Sequence, residues 1–158
     1  MQLTIDIPNI QNIMALYRQA PDIVTPILVN TLKQSEILMG SVTGQNVPYM
    51  TGGLVKSFIP TPVTELSYTW GPNVKYALWV EQGTGIYGPS GARIVPVTAK
   101  ALAWTSGGTQ FIRKSIAGMQ GRRYMERIVA AASPQLAQLF QRAEQTIIET
   151  FAQGGATA

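Results

Sequence analysis

Residues 124–151, YMERIVAAASPQLAQLFQRAEQTIIETF, set Tyr124, Ile128, Ala132, Leu136, Phe140, Ala143, Ile147 and Phe151 at steps of three and four. Arg123, Arg127, Gln138, Arg142, Gln145 and Glu149 fall on other faces. The spacing predicts a long amphipathic C-terminal helix, with a kink or restart allowed at Ser133-Pro134. A helix with one apolar stripe needs a surface to cover, and the preceding residues supply it. Ser57 to Thr61 and Glu65 to Trp70 read as a hairpin around Pro60 and Pro62, and Leu66, Tyr68 and Trp70 alternate with Ser67 and Thr69. Arg93 to Val97 and Ala101 to Thr105 read as strands, and Gly107-Gly108 turns the chain into Thr109 to Arg113. Between these units, Tyr76 to Gln82 suits a short helix burying Tyr76, Leu78, Trp79 and Val80 on one side. Glycine-rich residues 83 to 91 follow it.

Toward the N-terminus, Leu3 to Ile7 alternates like a strand or extended arm, and Pro8-Asn9 ends it with a residue suited to capping a helix. Pro21 and Pro26 interrupt the helical pattern that follows, so two helices are expected, the second starting at Thr25-Pro26 and ending near Gly40. Residues 41–53, with Gly44, Pro48, Gly52 and Gly53, read as a flexible loop or arm, and 153–158 as a disordered tail. This order describes an α+β fold: two N-terminal helices and one long C-terminal amphipathic helix packed on a small antiparallel sheet. At 158 residues and 46% apolar content, a single domain over 1–158 is expected.

The chain has neither histidine nor cysteine. Disulfides, thiolate nucleophiles, the commonest general base and most transition-metal ligands are therefore absent from its repertoire. The eight carboxylates, Asp6, Asp22, Glu36, Glu65, Glu81, Glu126, Glu144 and Glu149, stand singly, so spacing places no acid–base pair or metal site. Gly83-Thr84-Gly85-Ile86-Tyr87-Gly88 satisfies G-x-G-x-x-G, but Pro89, Ser90 and Gly91 prolong a loop where a dinucleotide site opens a helix. No enzyme, cofactor or metal is expected. The net charge is +4, and charged residues are 13% of the chain, about half the usual share. A surface so poor in charge suggests coverage by partners. Met1-Gln2-Leu3-Thr4 lacks the basic start of a signal peptide, and no stretch reads as a membrane span.

Two segments carry a resemblance. Pro48-Tyr49-Met50-Thr51-Gly52-Gly53-Leu54-Val55-Lys56-Ser57 is similar to the Pro-x-x-Thr-Gly-x-Leu-x-x-Ser pattern of the HK97 gp10-like phage tail-component family. Tyr76-Ala77-Leu78-Trp79-Val80-Glu81-Gln82-Gly83-Thr84 resembles that family's Tyr-Ala-x-x-Val-Glu-x-Gly-Thr signature, in the same order. Arg123-Tyr124-Met125 departs from it, since many relatives carry proline in place of Arg123. The resemblance implies a virion protein, made in the host bacterial cytoplasm, that completes the tail or joins head to tail. It implies a ring of identical copies, a hexamer by expectation, touching neck or connector proteins on one side and tail-tube or tail-terminator proteins on the other. DNA would at most pass through the lumen.

The segments 41–53, 83–92 and the polar face of 122–151 are the expected contact elements. Within the motifs, Thr51 suits a cap for a short turn, Gly52 a sharp exit, and Leu54 an inward anchor, with Ser57, Tyr76 and Ala77 beside them. Glu81 is placed to accept backbone N–H bonds from Gly83-Thr84-Gly85 or to pair with Arg93. Arg113, Lys114, Arg122, Arg123 and Arg127 form a basic cluster, which opens a second reading as a small nucleic-acid-binding module. A hydrolase using scattered carboxylates is a third.

Overall fold

The structure, a computed structural model, describes residues 10–49 and 52–156. Its elements are α1 (Ile10–Asn46), α2 (Gly53–Lys56), β1 (Phe58–Thr64), β2 (Ser67–Pro72), α3 (Ala77–Gln82), a 3-10 turn at Gly85–Tyr87, β3 (Leu102–Ser106), β4 (Thr109–Arg113) and α4 (Tyr124–Ala156). The architecture is α+β, with an N-terminal helix, a long C-terminal helix and two small antiparallel sheets.

Five expectations change in detail. The N-terminal helices are one, because α1 runs through Pro21 and Pro26 without interruption. Each proline removes one amide donor, yet its fixed φ near −65° is itself helical, and the two lie five residues apart, so intact bonds flank each loss. Pro134 is likewise inside α4, which neither stops nor restarts there. The expected single sheet is two separate two-stranded ribbons, β1-β2 and β3-β4. Arg93 to Val97 adds no strand to either: Pro96 has no amide to donate, and Ile94 alone forms a bridge, to Ile116. Residues 41–46, expected as arm, are the end of α1, with Val42, Thr43 and Val47 buried. At the other terminus α4 covers the expected tail as far as Ala156. The strand expected at Leu3 to Ile7 and the cap at Asn9 lie outside the described residues.

The chain divides into two compact units. Among the described residues, unit 1 comprises 10–41, 60–69 and 131–156. Here α1 buries Thr31 and Ser35. The Thr31 hydroxyl donates to Ile27 O at 2.8 Å, and Ser35 shares a 2.7 Å hydrogen bond with the Tyr68 hydroxyl, so both buried oxygens are satisfied. Unit 2 comprises 42–59 and 70–130. Its apolar centre is Val42, Val47, Leu54, Phe58, Ala77, Tyr124 and Ile128. The Phe58 ring meets Trp70 at 6.4 Å and Tyr124 edge-on at 6.0 Å, arrangements that aromatic quadrupoles favour. Trp70 Nε1 donates to Thr43 Oγ1 at 2.9 Å, so the half-buried indole has its one donor engaged.

Candidate functional site

Every expected site residue that the structure describes falls in unit 2. Thr51 lies outside the described residues. Gly52 precedes α2 with φ 76°, the left-handed conformation that glycine adopts without penalty. Leu54 is buried, and the buried Ser57 hydroxyl donates to Leu54 O at 2.6 Å, closing the one-turn helix from below. Pro48, Tyr49, Gly52 and Leu54 share an open cleft of about 500 Å³ with Tyr76, Val80, Met119 and Arg122. The two segments that carry the resemblance therefore line one cleft.

Helix α3 reverses the expected burial. Ala77 is its buried residue, while Leu78 and Trp79 are 56% and 58% exposed and Tyr76 is 41% exposed. Six residues make under two turns, so only one narrow face can reach the interior. The Tyr124 hydroxyl fixes which face, donating to Ala77 O at 2.9 Å from a side chain only 1% exposed. Burial pushes the Tyr124 phenol above its ordinary value near 10, and the Glu81 carboxylate and then Tyr76 push the same way. A raised folded value means stability that is complete below the unfolded value and is lost as pH climbs through the folded one. Tyr124→Phe should cost about 1 kcal/mol at neutral pH. It should also flatten the part of the stability decline above pH 10 that this phenol causes, as urea midpoints at pH 7 to 11 would show.

Glu81 pairs neither with the glycine turn nor with Arg93. Its Oε2 accepts the amide of Met125 at 3.1 Å, in the first turn of α4, where a carboxylate also meets the positive end of the helix dipole. Val80 O and Glu81 O accept the amides of Arg122 and Arg123 at 2.8 and 3.2 Å, so the end of α3 holds the chain as it enters α4. Arg123 has φ 45°, a left-handed conformation that a proline ring could not adopt. Its 3.9 Å pair with Glu126 is exposed on both sides and contributes little. Arg93 instead donates through Nε to Ser115 Oγ at 3.0 Å.

The glycine motif has a structural use that its spacing did not reveal. Thr84 N donates to Met119 O, Ile86 N to Ala117 O, and Met119 N to Thr84 Oγ1, at 2.8 to 3.0 Å, so residues 83–86 lie directly against 117–120. A Cβ on Gly85 would overlap the Ala117 carbonyl, and one on Gly118 the Thr84 carbonyl. Cβ atoms at Gly83 and Gly121 would meet backbone at 2.7 and 2.5 Å. Sequence reasoning gave Gly118 and Gly121 no role; the signal was a second glycine pair about 35 residues beyond Gly83 and Gly85. Among the described residues no three His, Cys, Asp or Glu side chains gather to hold a metal.

The basic cluster is only partly available. Arg127 donates through Nη1 to Arg122 O at 2.6 Å and through Nη2 to Asn46 O at 3.0 Å, which ties the guanidinium to backbone. Among the described residues, no helix is long and apolar enough to cross a membrane. Comparison with family models, with curated proteins and with solved structures returns no match.

Proposed function

We propose that this chain is a structural subunit of a tailed-phage virion, a tail-completion or head-tail joining protein that assembles as a closed ring at the neck or tail-proximal end. The observation that carries the reading is the apolar surface of unit 2. Leu78 and Trp79 stand more than half exposed on α3, beside a cleft built from the two segments that resemble the phage family. Ile86 and Tyr87, on the loop directly after α3, are exposed as well. Large apolar groups left in water on a rigid scaffold mark an association surface. Identical copies meeting head to tail form a ring when the rotation closes. Six copies is the expected number, with neck or connector proteins and tail-tube or terminator proteins as neighbours.

Native mass spectrometry and electron micrographs of the purified chain test this. A closed ring of one copy number, and the same ring at the neck of the particle, is the expected result. A chain that stays monomeric at high concentration and is missing from virions overturns the proposal.

A further inference from the structure

Between Glu81 and Glu126 the chain runs 44 residues without a carboxylate and carries Arg93, Lys100, Arg113, Lys114, Arg122 and Arg123. That is six of the twelve cations, so this run holds +6 and the rest of the chain −2, which together give the net +4. Folding gathers four of them. Arg93 bonds Ser115, Ile94 bridges Ile116, and Leu102, two residues from Lys100, pairs with Arg113 in the β3-β4 ladder. Arg93, Lys100, Arg113 and Lys114 are all exposed at the base of this ribbon. We infer that the β3-β4 ribbon and its basic base form a contact surface for the phosphate backbone of duplex DNA, independently of whether the chain closes into a ring.

Shape and chemistry favour a duplex. Two strands about 4.8 Å apart fit along a major groove about 12 Å wide. The ribbon's tip, Ser106-Gly107-Gly108-Thr109, is small and polar: both glycines have positive φ, and a Cβ on either would meet nothing within 4 Å. A backbone turn of this kind can approach a phosphate closely and has no apolar group to insert into a lipid surface. Single-strand binders offer aromatic rings to bases, whereas Trp104 and Phe111 stack on each other at 5.4 Å and 14°. The four cations set the expected strength. Neutralising four phosphates gives a log–log salt slope of about −3.6 for each bound subunit, or about 100-fold weaker binding between 50 and 200 mM salt.

The test is fluorescence anisotropy of the full chain with a labelled 30-base-pair duplex of arbitrary sequence over that salt range. Arg113→Gln with Lys114→Gln should reduce the slope by about 2 and weaken binding about 100-fold at 50 mM salt, with circular dichroism unchanged. Lys33→Gln with Arg142→Gln, which removes the same net charge outside the run, should leave the slope as it was. Absence of duplex binding at 50 mM salt overturns the inference, as does an equal loss from the Lys33 and Arg142 pair. Tighter capture by a single strand or by anionic phospholipid vesicles also overturns it.

Discussion

Gly85→Ala should strongly destabilise unit 2. The residue sits at φ 65°, where an L side chain costs about 1 kcal/mol, and the new methyl would overlap the carbonyl of Ala117 rather than a side chain able to swing away. Relieving that overlap means breaking the Ile86 to Ala117 and Thr84 to Met119 bonds that hold the crossing. A total above about 4 kcal/mol is expected, a large share of the roughly 5–15 kcal/mol that stabilises a domain. Gly107→Ala is the matched control, because Gly107 also has positive φ (55°) but open space around it, so the backbone penalty of about 1 kcal/mol acts alone. Urea unfolding of the two variants compares them. Equal losses would show that the backbone crossing contributes nothing beyond the strain of positive φ.

On the proposed function, replacing Leu78 and Trp79 together by serine should leave the chain folded and prevent ring assembly. Both side chains are more than half exposed, so their removal should change folding stability by no more than about 0.5 kcal/mol. A tryptophan central to an interface contributes about 2 kcal/mol or more, roughly 30-fold in each contact. A ring repeats the loss at every junction. Sedimentation or native mass spectrometry should find the variant as folded monomers, and particles made with it should lack joined tails. Rings of undiminished stability would move the interface away from α3.

Elements whose signal is local were legible in the sequence. The stripe from Tyr124 to Phe151 gave α4, Gly107-Gly108 gave the β3-β4 turn, and the alternation through Trp70 gave the first hairpin. What escaped depends on residues far apart in the chain. Pro21 and Pro26 mark breaks only where the surrounding bonds cannot hold the helix, and α1 holds. Glu81 caps a helix that begins more than forty residues later, so no spacing rule could join them. Gly83, Gly85 and Gly88 formed a recognisable motif, but its use is set by Gly118 and Gly121 on another segment. Leu78 and Trp79 were read as core because hydrophobicity along a short helix cannot distinguish an interior face from an exposed one. Of the candidate site, the two quoted segments share a cleft, while Leu78 and Trp79 beside it, expected to be buried, are more than half exposed.

The glycine crossing has a further consequence for how this chain can change over generations. At Gly83, Gly85, Gly118 and Gly121 the occupant is dictated by space between two backbones, whatever the protein binds, so drift there is closed off. Leu78, Trp79 and the β3-β4 ribbon are under no such geometric limit. A lineage of such proteins could therefore replace its contacts almost completely while its crossing stayed legible, and four glycines in two short segments would be a more durable mark of kinship than any residue that touches a neighbour.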